Sequence, residues 1–239
     1  MSATIDVISS GSSGNCYILE CSGERLIIEL GLAWETILKK LEYNISNVKG
    51  CIVSHKHKDH SLSINNALKY ALPVYSCEEV AGIYKGVEVM QEMKKTSIGG
   101  FRVMPLSVPH SCQCYAFLIE HNDIGRLLFC TDCTKFNYRL KNITHIMIEC
   151  NYDKDVIIDN MCNGQSSMSK YENHMEIDDT ISSIMNNYSP SLLSVLLIHM
   201  SKHNSIPDDM RNKVSDITGI KDVSVAQGGL RYSLNTYEF

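Results

Sequence analysis

Apolar and polar positions divide the chain into short strand-like runs with a few helical stretches between them. "TIDVI", "NCYILE" and "RLIIEL" are β-rich and are separated by "SSGSSG" and "CSGE", the pattern of a meander. Trp34, Ile37, Leu38 and Leu41 then recur at helical spacing. "GCIVS" reads as a short buried strand, followed by a helix over "SLSINNALKYA" that Pro73 stops, the strand "PVYS" and the short helix "EEVAGIYK". Strands return in "FRVMPLSV", "YAFLIE", "RLLFCT" and "HIMIE". From Asn151 to Asn173 the periodicity is lost, and a long surface loop is expected. Ile177, Ile181, Ile184, Met185 and Tyr188 predict a further helix, and "LLSVLLI" a buried strand running up to His199. Pro207 opens the last helix and "VSVA" is the final strand. Two β-rich halves with helices outside them make an α/β sandwich, expected as a single domain over 1–239.

Composition narrows the setting. The 239 residues can bury a sizeable core, and 44% hydrophobic with 21% charged residues is ordinary for a globular protein. No apolar run approaches the roughly 20 residues that span a bilayer. The N-terminus "MSATIDVISSGSSGN" has no basic segment followed by an apolar one. A cytoplasmic protein without membrane attachment is expected, and its ten cysteines are read as reduced thiols that pack in strands. Cys130 and Cys133 of "CTDC", like Cys112 and Cys114, are read as incidental, because no second pair stands at ribbon spacing. The net charge of −5 argues against a broad basic face for nucleic acid, though not against a local positive site.

The densest chemistry lies in "SHKHKDH", where His55, His57, Asp59 and His60 follow directly on an apolar run. In a segment leaving a strand, residues two apart point the same way, so His55 and His57 can reach one ion. Asp59 and His60 follow as the chain turns into the next helix and can face a second ion. The bland alternative for Asp59 is a cap on that helix. His110, Asp132 and His199 each stand just past a predicted strand, where sandwich folds carry function. A catalytic site built from such ligands keeps a coordination position open for water.

The chain resembles the metallo-β-lactamase superfamily, and within it the bacterial exonuclease-like branch of the YycJ/WalJ type. The similar pieces run in order from end to end: "SSGSSGNCYIL", "LIIELGL", "CIVSHKHKDHS", "LPVY", "IGGFRVMPLSVPH", "FCTDCT", "IMIECNYD", "ENHMEIDD", "LIHMSKHNSIP" and "VSVAQGG". The resemblance implies a four-layer αβ/βα sandwich of two mixed β-sheets with helices on the outer faces. It implies that His55, His57 and His110 bind a first divalent ion, that Asp59, His60 and His199 bind a second, and that Asp132 bridges them. The nucleophile would be a hydroxide held between the two ions, which are zinc, manganese or iron for such a donor set. The chain departs from the superfamily pattern at Glu29, where Asp is usual, at Ser111, also usually Asp, and in "ENHM", where Gly-His is more usual.

Three further features read two ways on the residues alone. His174, at a helix start, is either a surface histidine or, as the resemblance implies, the group that contacts the scissile phosphate or assists the leaving group. Glu149 is a strand-end carboxylate or the group that orients His174 or a water. "SGSSGN" is a plain turn or a phosphate cradle in which Ser12, Ser13 and Asn15 would bind substrate. The function expected is a metal-dependent phosphodiesterase acting on DNA or RNA. The alternative is a small-molecule metallohydrolase of the same fold, cleaving a cyclic phosphodiester, thioester or lactam. A non-catalytic binding module is the third reading, and the complete set of candidate ligands argues against it.

Overall fold

The computed structural model describes residues 3–162 and 173–234. In chain order the elements are β1 (Ala3–Ser9), β2 (Cys16–Cys21), β3 (Glu24–Ile28), α1 (Trp34–Lys40), β4 (Val48–Ile52), α2 (Lys58–Ser61), α3 (Ile64–Lys69), β5 (Val74–Ser76), α4 (Glu78–Ile83), β6 (Glu88–Val89) and β7 (Thr96–Ile98). The second half comprises β8 (Phe101–Val108), β9 (Cys114–His121), β10 (Gly125–Cys130), β11 (His145–Glu149), α5 (Lys154–Cys162), α6 (Ile177–Asn186), β12 (Ser194–Ile198), α7 (Pro207–Thr218), β13 (Asp222–Val225) and β14 (Arg231–Leu234). They form two seven-stranded sheets, ordered β14-β1-β2-β3-β4-β5-β6 and β13-β12-β11-β10-β9-β8-β7. Each sheet is mixed. The first is antiparallel from β14 to β3 and parallel from β3 to β6, and the second is parallel from β13 to β10 and antiparallel from β10 to β7.

Strand periodicity explains the layering. Along β9, Tyr115, Phe117 and Ile119 enter the larger core with residues of both sheets, while Cys114, Ala116 and Leu118 enter a smaller core under α6 and α7. Trp34, Ile37 and Leu38 of α1 and Ile64 and Ala67 of α3 close the larger core, as their spacing predicts. On α6, Ile177, Ile181 and Ile184 are buried. Met185 and Tyr188 are exposed: Met185 lies at the margin of the stripe that buries Ile177, Thr180 and Ile184, and Tyr188 stands past the helix end at Asn186.

The long loop expected from Asn151 to Asn173 is corrected in its first half. Tyr152 pairs with Glu176 in an isolated bridge, and Lys154–Cys162 is helical. Only Ile157 of that helix is buried, so the sequence carries no apolar stripe there. Residues 163–172 of that stretch lie outside the described ones. Among the described residues, no helix is long and apolar enough to cross a membrane.

Candidate metal centre

Strand ends and close backbone packing bring the site together. His55 leaves β4 in the segment that His57 ends with extended dihedrals (φ −60°, ψ 145°), and Asp59 and His60 ride on the single turn of α2. Gly31 lets this turn lie against the chain after β3: a Cβ there would fall 1.6 Å from the Asp59 carbonyl oxygen. The Asn15 N–H donates to that same oxygen at 2.8 Å, which pins the "SGSSGN" loop beside the turn. From the second sheet come His110 past β8, Asp132 past β10 and His199 past β12. Glu29, Asp132 and His199 have φ of 67°, 46° and 53°. Each stands just past a strand in the left-handed region, at a cost of roughly 1–2 kcal/mol per residue for a side chain with a Cβ. That backbone turn takes the side chain off the line of its strand.

Two groups of donors result. In the first, His57 Nδ1 lies 3.0 Å from His55 Nε2 and 3.2 Å from His110 Nε2. In the second, His60 Nε2 lies 3.3 Å from Asp59 Oδ2 and 3.4 Å from Asp132 Oδ1, and His199 Nε2 lies 3.6 Å and 3.5 Å from the same two oxygens. Asp132 also turns Oδ2 toward His55 Nε2 at 3.8 Å, so one carboxylate faces both groups. His199 Nε2 is buried with no hydrogen-bond partner. Burying polar atoms at such spacing is costly unless something satisfies them. Metal–ligand bonds of about 2.1 Å radiating from one ion put neighbouring donors about 3–3.5 Å apart. The residues present therefore fit a divalent ion in each group, with Asp132 common to both.

Charge agrees with that fit. Burial, helped by the neighbouring His60, pulls His55 down to about 2, which leaves its lone pair available. Burial also works against the charged form of His199, but Asp132, Asp59 and Glu149 outweigh it and raise the ring to about 10. Asp132 is held well below the carboxylate range because His199 and His60 override the effect of its burial. Without a metal, the second group balances its carboxylates with imidazolium protons; a divalent ion takes over that role when the protons leave.

Buried partners orient the rings. Glu149 is completely buried. Its Oε1 accepts from His174 Nδ1 at 2.7 Å, from His199 Nδ1 at 3.1 Å and from Asn151 Nδ2 at 3.3 Å, and its Oε2 accepts from the backbone N–H of Cys133 and Met175. Both rings thus present Nε2 to the site. The Ser54 hydroxyl meets His55 Nδ1 at 2.9 Å. Glu29 accepts from the Ser54 N–H and lies 3.4 Å from His60 Nδ1, an ion-pair distance at which that buried nitrogen makes no hydrogen bond. The His174 ring stacks on His199 with centroids 5.3 Å apart and remains part exposed. Burial lowers His174, but the Glu149 carboxylate more than reverses this and raises it above the usual imidazole value.

The structure sorts the remaining sequence candidates. Asn15 is buried and turns inward, with Nδ2 3.1 Å from His60 Nε2 and Oδ1 accepting the Gly11 N–H. Ser12 and Ser13 are exposed on the same loop. Cys112, read as incidental, has its Sγ 4.0 Å from His57 Nε2, at the rim of the first group. Asn151 and Ser10 were not singled out by sequence reasoning. The first donates to the His199 carbonyl and the second accepts the His199 N–H at 2.8 Å. Neither has a local signal, since each acts on a residue far along the chain.

No family model matches the chain. It is 24% identical to "Exodeoxyribonuclease YycJ" of Bacillus anthracis, covering 95% of this chain and 93% of that one. It is 21% identical to "Exodeoxyribonuclease WalJ" of Streptococcus pneumoniae, covering 97% and 92%. Among solved structures, the metallo-β-lactamase fold protein YhfI from Bacillus subtilis superposes with a TM-score of 0.77 at 18% identity, over 98% of this chain and all of that one. A diphosphatase of the PhnP family superposes with a TM-score of 0.70 at 14% identity, over 99% of each chain.

Proposed function

From a chain with the metallo-β-lactamase fold, similar over nearly its whole length to the YycJ and WalJ exodeoxyribonucleases, we propose a metal-dependent hydrolase that cleaves phosphodiester bonds of nucleic acid. The observation that carries this reading is the pair of donor groups sharing Asp132, with His174 held over them by Glu149. When bound, two divalent ions of zinc, manganese or iron would lower the pKa of a water and polarise a phosphoryl oxygen.

The protein's own groups do the rest. Glu149 accepts the Nδ1 proton of His174 and so fixes Nε2 as the face presented to substrate. The Glu149 carboxylate also raises the affinity of that ring for a second proton, which Nε2 would offer to the leaving oxygen or to a phosphate oxygen. His199 shares the same carboxylate, so the ligand and the proton donor keep a fixed relation. Ser12 and Ser13, exposed on the glycine-serine loop, are assigned the role of phosphate contacts in this reading.

Metal analysis, followed by rates on DNA, RNA and a cyclic nucleotide before and after chelation, tests the reading. Two equivalents of metal and chelator-sensitive cleavage of a polynucleotide are expected. Undiminished cleavage by metal-free protein would overturn the metal mechanism. Asp132→Ala should deplete both ions together, and depletion of one alone would remove Asp132 as the bridge. Cleavage confined to the cyclic nucleotide would favour a small-molecule phosphodiesterase, a reading that the net charge of −5 also suits.

A further inference from the structure

Two hairpin tips, one from each sheet, meet at the end of the sandwich away from the metal centre. β2 and β9 both start beside the centre, after Asn15 and at Cys114, and run away from it. β2 turns into β3 where Cys21 pairs with Glu24, and β9 turns into β10 where His121 pairs with Gly125. Alternation puts Cys21 on the same face as Tyr17, which meets Phe129 of the second sheet with ring centroids 5.6 Å apart. It puts His121 on the same face as Phe117 and Ile119, which enter the larger core. A thiol and an imidazole thus stand together where that core ends.

Cys21 Sγ, a ring nitrogen of His121 and a carboxylate oxygen of Asp123 all lie within 4.8 Å of one another. Cys21 is buried, and the other two are half-buried. The Asp123 N–H donates to His121 Nδ1 at 3.1 Å, so a lone pair and not a proton faces Asp123, whose Oδ2 is 3.8 Å away. The Ser22 hydroxyl donates to that Oδ2 at 2.7 Å and so links the two tips. Metal-bound carboxylates are commonly held by such outer partners. The imidazole is fixed as well: Phe101 packs on it with centroids 5.0 Å apart, and a Cβ at Gly100 would fall 3.0 Å from its Nε2.

Thiolate, imidazole and carboxylate are the donors of a zinc-type ion, and three of them leave one corner of a tetrahedron for water. Donors around such an ion stand about 3–4 Å apart, so small side-chain rotations close the set. Without an ion, burial and then the Asp123 carboxylate push the Cys21 thiol up to about 12, and the cluster holds a neutral thiol. On binding, Cys21 would release its proton to solvent, and Nδ1 would exchange the Asp123 N–H for the ion.

We propose that Cys21, His121 and Asp123 form a separate site for one zinc-type ion, which clamps a hairpin of each sheet at the end of the molecule opposite the metal centre. The site is structural and independent of the phosphodiesterase reading.

The test loads the whole chain with zinc or with cobalt(II). Excess zinc should fill one further equivalent beyond the two of the metal centre. One equivalent should also remain in Asp132→Ala, in which that centre is depleted. Cobalt(II) in the new site should show the near-ultraviolet charge-transfer band of a thiolate ligand. The band should vanish in Cys21→Ser and persist in Cys112→Ser, whose thiol stands at the rim of the first donor group. Asp123→Asn and Ser22→Ala change only the turns. Both should weaken the further equivalent, Ser22→Ala by about 10–100-fold, the usual cost of losing an outer partner. Cleavage of bis(p-nitrophenyl) phosphate should be unchanged in both. Absence of the further equivalent would overturn the site. So would a thiolate band that survives Cys21→Ser, or zinc binding that neither turn substitution alters.

Discussion

Glu149 accepts hydrogen bonds from two histidines, one amide side chain and two backbone N–H groups. A buried carboxylate with its lone pairs so fully used cannot also take a proton from a water, so its place is to position His174 and His199. The consequence for His174 is testable. It lies outside the seven donors of the two groups, so His174→Ala should leave metal content unchanged. On a diester with an alkoxide leaving group, turnover should fall by about 10²–10⁴, the usual contribution of a general acid. A p-nitrophenyl diester, which leaves without help, should lose far less. Equal losses would instead assign His174 to phosphate binding, and no loss would remove it from the active site. The donors of "SHKHKDH" were legible because their spacing itself states the chemistry. His110, Asp132 and His199 were legible as candidates from their places past predicted strands, but their division between two ions came only with the resemblance, and the roles of Ser10, Asn151 and Cys112 were not legible, because their partners are set by the tertiary fold.

At the scale of elements, the parallel pair β11 and β12 carries polar groups at both ends. Glu149 lies opposite Ile198 at the site end, and His145 lies opposite Ser194 at the other. His145 is buried, with Nδ1 2.8 Å from the Ser194 hydroxyl and Nε2 lacking a partner, and burial holds it down to about 4. An unfolded histidine titrates near 6.5. Between those values the unfolded chain binds the extra proton, so stability falls as the pH drops from about 6.5 to about 4. The loss at stake is on the order of 3 kcal/mol. His145→Gln should flatten this part of the stability profile in chemical denaturation, and parallel profiles for the two proteins would exclude the effect. Elements with strong alternation or a long apolar stripe were readable from sequence: β8 and β11 match their predicted runs end to end. Those missed have little to read. β6 is two exposed residues, β7 is three residues, and α5 buries one side chain. β14, which pairs with β1 as an edge strand, carries only alternating Tyr232 and Leu234 to the core.

Over the whole molecule, the donors come from both sheets. His55, His57, Asp59 and His60 follow β4 of the first sheet, while His110, Asp132 and His199 follow strands of the second. The ions would therefore tie the two sheets together at one end of the sandwich. An ion that binds the folded chain and not the unfolded one stabilises it by RT ln(1 + [L]/Kd), about 2.7 kcal/mol at a hundredfold excess over Kd. Two such ions give roughly 5 kcal/mol, and a chain of this size shifts its midpoint by about 2–4 °C per kcal/mol. Chelation should thus lower the thermal midpoint by about 10 °C or more, and added metal should restore it in a concentration-dependent way. Asp132→Asn keeps the shape of the bridge but lowers its charge, so the midpoint should respond much less to metal. If analysis shows the ions removed and the midpoint has not moved, the sandwich holds its donor geometry without them, and the metals contribute to chemistry alone.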